Sequence, residues 1–346
     1  MFEAFSITTN LLIFVVLAGA IWTSGTYLSY FVDAIAEQTK IARAFMGLIF
    51  LATITELPEM VTSITAVSAG NGTLAINNMF GGIMMQLAVL AIAEIFIIKG
   101  VLSSAPRNLS VLVAGLLLIP SLSILLMISY IGDIPIVAHI GLGSILIALL
   151  YVFFMYLLWR IQDRNTWSPV DLPNEQPERG EARSNHYDNL SLHILILFSV
   201  AAGVAILVCG VFIVYVAETL ADQTGLGSSF IGVSLLALTT SLPELSTAIA
   251  AIRVKAHTMA ISNIFGSNLI MTFLILPVDA FFSDGPVLNH IDLSASVALV
   301  GGILLTSIYC IGITIRPKLK FFGMNIDSLL VLIFYMAGLF ILYQVR

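Results

Sequence analysis

The sequence predicts an all-α polytopic membrane protein with ten transmembrane helices arranged as two inverted five-helix repeats. Three observations predict it. Of 346 residues, 59% are hydrophobic and only 10% charged, and the mean hydropathy of +1.04 lies outside the range of a soluble domain of this length. Thirteen of the fourteen Lys and Arg residues fall in or beside alternate connections between apolar windows. The chain also repeats itself after 185 residues.

Taken in order, spans are expected near residues 10–32, 44–69, 73–98, 108–131, 134–159, 192–217, 229–252, 258–282, 293–315 and 324–345. Each is long enough to cross ~30 Å of hydrocarbon as a helix. A signal peptide is the rival reading of the first window. Its leading residues carry Glu3 rather than a basic cluster, and no small-residue cleavage pattern follows, so it is read as a span. The thirteen basic residues from Lys40 to Lys320 sort to the odd-numbered loops, and only Arg346 falls on the other side. This bias places the odd loops in the cytoplasm and both termini outside it, across what is expected to be a bacterial inner membrane. Cys209 and Cys310 lie singly within spans and are read as packing residues.

Shifting the chain by 185 residues places Gly47 over Gly232, Ala52 over Ala237, Thr55 over Thr240, Pro58 over Pro243, Glu59 over Glu244 and Asn78 over Asn263. From Phe45 to Gly81, 17 of 37 positions are identical to their counterparts in Phe230 to Gly266. Five spans is an odd number, so the second copy enters the membrane from the opposite side, which is an inverted repeat with its site near the midplane. Residues 1–160 form the first repeat, with its core element at 45–90, and residues 191–346 form the second, with its core element at 230–275. Between them, 161–190 is polar and proline-bearing and is read as a cytoplasmic linker.

The second and seventh spans carry "TELPE" and "TSLPE". A proline has no N–H for the carbonyl four residues back, so Pro58 frees the carbonyl near Ile54, and Pro243 frees that near Thr239. By the helical period Thr55 and Glu59 share a face, with Glu56 about 60° further round. A proline kink with a neutral, hydrogen-bonded glutamate would explain one such helix. Two symmetric ones, each with a carboxyl group that costs ~3 kcal/mol or more to ionise at bilayer depth, point to a cation site. Spans three and eight add "NNMFGGIMMQ" and "SNIFGSNLIM", in which Asn78, Gly82 and Gln86, and Asn263, Ser267 and Met271, recur every four residues.

The candidate ligands are therefore Glu59, Glu244, Glu56, Thr55, Thr240, Ser241, Ser267, Gln86, Asn78 and Asn263, with Ala52 and Ala237 added as backbone positions. Oxygen-only ligation suits Ca²⁺, Na⁺ or another hard cation, and no His or Cys cluster with zinc-type spacing competes with it. Glu94, which falls over Asp279, is read together with it as a pair of interfacial acids. The scattered histidines are read as loop or packing residues, and Met79, Met84 and Met85 as core.

At these residues the chain resembles the calcium/cation antiporter superfamily and, within it, the sodium/calcium exchanger branch. The two repeats of that family read approximately G-T-S-x-P-E followed by G-N-x-x-G-S-N-x-x-N/D. Thr240, Ser241, Glu244 and Ser267 match the second repeat, and Thr55 and Glu59 match the first. Four positions depart: Glu56 replaces a hydroxyl residue, Gly82 a serine, Gln86 the late asparagine and Met271 the late aspartate. An acid is thus lost at Met271 and gained at Glu56.

The resemblance implies a secondary antiporter that exchanges Ca²⁺, or a related divalent cation, for Na⁺ by alternating access to one midplane site. Its partners are then cation substrates and the lipid bilayer. No enzyme motif, cofactor or nucleic-acid signal is present, and Ca²⁺ and Na⁺ are bound only as transported ions. The sequence carries no signal of an oligomeric state. The alternatives are a proton-coupled exchanger using Glu56 and Glu59, and an ion channel on the same helices.

Overall fold

A computed structural model describes residues 2–95, 102–106, 109–161, 187, 189–223, 241–316, 320–321 and 324–345. The fold is all-helical apart from two short hairpins. Its helices are α1 (Ile7–Thr39), α2 (Arg43–Thr55), α3 (Leu57–Ser68), α4 (Gly72–Ile95), α5 (Leu109–Ile131), α6 (Leu142–Ile161), α7 (Leu192–Gln223), α8 (Leu242–Arg253), α9 (His257–Phe281), α10 (Leu293–Ile315) and α11 (Ile326–Val345). Antiparallel pairs β1 (Pro135–Val137) with β2 (Ile140–Gly141), and β3 (Lys320–Phe321) with β4 (Met324–Asn325), precede α6 and α11.

Among the described residues eight helices are long and apolar enough to cross a bilayer, and α2 with α3, bent by 42°, makes a ninth when taken as one span. The expected span at 229–252 is described only from Ser241 onward. Ala237 and Thr240 lie outside the described residues, as do residues 162–186 of the expected linker. Where the linker is described again, Tyr187 packs edge-on to Phe31 at 5.1 Å, and the Leu190 carbonyl accepts from Gln38 Nε2 at 2.7 Å.

One expectation needs correcting, and two are sharpened. The window 134–159 does not begin as helix. Gly132 turns the chain with φ 85°, Ala138 follows with φ 54°, and a hairpin occupies 135–141 before α6 starts at Leu142. The window 44–69 is a span broken beside its proline, at Glu56, with a π-helical turn at Met46–Leu51 before the break. Glu94 and Asp279 do lie near the ends of their helices, and both are buried within the protein there.

Element starts recur in the 185-residue register. Helices that begin at Ile7, Leu57 and Gly72 have counterparts beginning at Leu192, Leu242 and His257. Beyond α5 and α10 the register shortens by one residue, because these start at Leu109 and Leu293, and α6 and α11 start at Leu142 and Ile326.

Burial identifies the centre. The span window is 89% buried in α9 and 72% in α4, but only 17% in α1 and α11. α4 and α9 are therefore the inner helices, and side chains such as Leu12, Val16, Leu149 and Phe340 on the outer ones are exposed to the lipid side. Small residues permit the close contact at the centre: a Cβ on Gly266 of α9 would collide with the Leu48 carbonyl of α2. The outer helices cross between halves. Gly25 of α1 lies against Ser246 and the Pro243 carbonyl of α8, while its repeat mate Gly210 of α7 lies against Pro58 of α3.

Candidate functional site

Proline shapes the site locally. Pro58 and Pro243 are each the second residue of a helix, α3 and α8, where a missing N–H leaves no internal bond unmade. The residue before each helix start has left regular helical geometry in the same way: Glu56 has φ −80° and ψ −8°, and its mate Ser241 has φ −87° and ψ 3°. Glu56 therefore sits at the break itself, not on a helix face, so the face assignment from the helical period does not hold. Its N–H bonds to the Ala52 carbonyl at 3.1 Å, and the Thr55 hydroxyl donates to the same oxygen at 3.2 Å. Ala52, a candidate ligand, already serves two donors.

The break faces α4 and α9. Gln86 Nε2 donates to Glu56 Oε1 at 2.5 Å, and Thr55 Oγ1 lies 3.4 Å from Ser267 Oγ. The Ser267 hydroxyl also lies beside the Glu56 carboxylate, whose Oε2 closes no hydrogen bond of normal geometry. Glu244 is fully buried, with the Thr55 hydroxyl beside it and the Glu56 carboxylate within electrostatic reach, and neither of its oxygens closes such a bond. Residues from the two halves are thus interleaved: Thr55, Glu56 and Gln86 from the first meet Ser267 and Glu244 from the second.

Asn263 is fully buried, and its amide donates to Thr247 Oγ1 at 3.2 Å. Thr247 in turn donates to the Pro243 carbonyl at 2.8 Å, and its mate Thr62 donates to the Pro58 carbonyl at 2.9 Å. Glu59 is buried in the first turn of α3, as Glu244 is in the first turn of α8. Asn78 is only half-buried. Among the described residues no three acidic, His or Cys side chains come together at metal-binding distance, so the three glutamates do not form one carboxylate cage.

The sequence reading passed over Asn268. It is fully buried, and neither its Oδ1 nor its Nδ2 has a partner. The signal was present in "GSN", but the repeat register hid it, because the mate of Asn268 is the apolar Ile83. Gln86 Oε1, Ser241 Oγ, Asn263 Oδ1 and Asn268 Oδ1 are all buried oxygens without a donor. Oxygens desolvated in this way are costly unless something positive faces them. Met271 fills the position opposite. Its terminal methyl lies 2.8 Å from where a Cβ on Gly82 would be.

The family model described as sodium/calcium exchanger protein matches residues 9–160 and again 194–344. The chain belongs to the sodium/calcium exchanger family. Membership makes it an integral membrane cation antiporter, in keeping with its apolar helices. The sodium/calcium exchanger MaX1 of Methanosarcina acetivorans is 29% identical over 125 residues, 36% of this chain and 34% of that protein. The uncharacterized membrane protein MJ0091 of Methanocaldococcus jannaschii is 25% identical over 263 residues, 74% of this chain and 76% of that one. A solved structure of the sodium-calcium exchanger NCX_Mj, soaked with Na⁺ and Sr²⁺, superposes with a TM-score of 0.69 over 96% of this chain and 98% of that chain, at 17% identity. At that identity the likeness carries the exchanger fold.

Proposed function

We propose that this exchanger moves Ca²⁺, or a related divalent cation, against Na⁺ by alternating access to the oxygen cluster between α2–α3, α4, α8 and α9. The observation that carries the reading is the set of buried, donorless oxygens around Glu56 and Glu244. Buried acceptors gathered around carboxylates select a hard cation, and their number exceeds what a proton needs. Glu244 and Glu56 neutralise the ion. Glu59, Thr55, Ser267, Gln86, Ser241, Asn78 and Asn263 supply further oxygens, and Thr240 and Ala237 are proposed with them from the repeat register alone.

The reading includes ten spans in two inverted halves, both termini outside and residues 161–190 in the cytoplasm. The two separate family matches and the recurring element starts support the duplication. Gly25 and Gly210 support movement at the boundary between halves: each lets a long outer helix cross onto the other half's proline break, a contact without side-chain interlock. A cluster of uncompensated acids is too costly to cross the membrane empty, which makes transport an exchange.

A proton-coupled exchange is the second reading, and one observation favours it: Glu56 and Glu244 lie close enough for their charges to repel, so one of them can carry a proton in place of a cation. This moves the proton pair from Glu56 and Glu59 to Glu56 and Glu244. Reconstituted vesicles loaded with Na⁺, then with acid, separate the two. Uptake of labelled calcium driven by the sodium gradient alone supports the first reading, uptake driven only by the proton gradient supports the second, and uptake under neither overturns both.

A further inference from the structure

Away from the central cluster, the ends of the two halves carry a second comparison. Glu94 and its mate Asp279 do the same structural task. Glu94 Oε1 accepts from the N–H of Leu102 at 2.8 Å, and Asp279 Oδ1 from that of Val287 at 2.6 Å, each eight residues on. Their second oxygens accept from the residue just before α11 or α6: Asn325 N–H at 3.3 Å for Glu94, Gly141 N–H at 2.8 Å for Asp279. Each acid ties a returning loop to an inner helix, and that task needs one acid at each end.

Each end holds a second acid, and there the two part. Beside Asp279, Asp133 Oδ1 accepts from the N–H groups of Ile134 at 2.9 Å and Gly143 at 2.8 Å, so backbone donors reach one of its oxygens, while its Oδ2 is buried without a hydrogen bond. Beside Glu94, Asp327 is buried and neither of its oxygens has a hydrogen-bond partner. It stands where the other half has Gly143, and a Cβ on Gly312 would collide with it. The Tyr309 hydroxyl, fully buried and without a bond of normal geometry, faces Ser328, Glu94 and Asp327. The other half has the apolar Leu125 in the place of Tyr309. Asn325 Oδ1 is also buried without a donor, its Nδ2 being given to Ser103 Oγ at 3.0 Å.

The opposite end closes without a tyrosine at the place of Tyr309 or an amide at that of Asn325, and its second acid keeps two backbone donors where Asp327 has none. None of the ion pairs among the described residues involves Glu94 or Asp327. Arg316 donates to the carbonyls of Ser104 and Pro106. The first turn of α11 favours one carboxylate at Asp327, but it does nothing for a second acid beside it. Two buried carboxylates with hydroxyl and amide oxygens around them lack only a positive charge.

We propose that Glu94, Asp327, Tyr309, Ser328 and Asn325 form a second cation site, separate from the central cluster, that takes a hard divalent ion such as Ca²⁺. In the orientation proposed above it lies at the cytoplasmic ends of α4 and α11.

Calcium titration calorimetry on the full-length protein in detergent tests the site. In a Glu244→Gln background, which disables the central cluster, calcium binding should persist, and adding Asp327→Asn should weaken it at least about tenfold. Asp327→Asn keeps the side-chain volume and removes a repulsion, so the metal-free protein should melt no lower than the parent while losing its calcium-induced rise in Tm. If that variant does not fold, Tyr309→Phe takes its place, with an expected loss of about threefold in affinity for one missing neutral oxygen. Glu244→Gln protein that binds no calcium, or that binds it equally with Asp327→Asn or Tyr309→Phe, overturns the proposal. A wild type that binds no more calcium than Glu244→Gln would instead count against the central site, so the two failures are distinguishable.

Discussion

The two halves of the molecule share a frame and differ in what they hang on it. Pro58 and Pro243 break their helices at the same point, Glu59 and Glu244 follow, and Gly25 and Gly210 receive the opposite half's break. Between these landmarks the first half has Glu56, Gly82 and Gln86, where the second has Ser241, Ser267 and Met271. Backbone geometry at the break does not distinguish Glu56 from Ser241, so the fold tolerates either residue. The differences fall on side chains that face the central oxygens. The teaching is that the duplicated frame holds the two breaks in place, while the side chains around them differ between the halves.

The sharpest break of this comparison is at Glu244, a central acid whose position both halves retain. Glu244→Gln should weaken calcium binding at the central site and vesicle uptake about a hundredfold, since removing a buried charge partner costs ~3 kcal/mol; isothermal titration with the purified protein reads it as the loss of one of two binding events. Replacing Glu56 by its mate's residue, Glu56→Ser, comes next, with an expected loss of about tenfold or more. Unchanged affinity would show that Glu56 is not a ligand. In that background Met271→Asp asks whether the acid can sit in either half. Because Met271 already reaches Gly82, part of the lost affinity should return in the same titration.

A smaller effect is expected from Gln86→Met, which imposes the second half's residue and leaves Glu56 without its 2.5 Å donor. A several-fold loss in affinity, ~1 kcal/mol or somewhat more, should follow in labelled-calcium binding. The smallest concerns the end of the bundle. Burial raises the Asp133 carboxyl above the ordinary carboxylate range, and the backbone N–H groups of Gly143 and Ile134 only partly offset it. With the folded value above the unfolded one, the native state holds its proton longer, so this group's contribution falls as pH rises through that interval. Asp133→Asn keeps an acceptor and removes the ionisation. Its Tm should therefore gain on the parent at neutral pH and converge with it as the pH drops below the carboxylate range.

Much of the fold was legible because lipid leaves few options. Backbone groups in hydrocarbon must bond within a helix, so apolar windows become spans, and most ends agree within a few residues. The errors have local causes. A window that seemed to start at 134 begins with a hairpin, because Gly132 and Ala138 adopt left-handed backbone and Pro135 cannot donate. Glu94 and Asp279 are placed near span ends by hydropathy, which reports depth along one helix. It does not report that a loop folds back over the helix end and offers its N–H groups.

The sequence by itself determined the membrane class, the duplicated register, the two proline breaks and the oxygen-rich chemistry, since each depends on residues near in the chain or at a fixed repeat distance. Only the tertiary structure decided which oxygens meet. That Glu56 pairs with Gln86 and faces Glu244, that Thr55 approaches Ser267, and that Asn268 and Asp327 are left without donors depends on the rotation and depth of packed helices. Those are set by contacts such as Gly266 against Leu48, over two hundred residues apart in the chain. Periodicity fixes the faces of one helix, but the partner of a face is a property of the packed bundle.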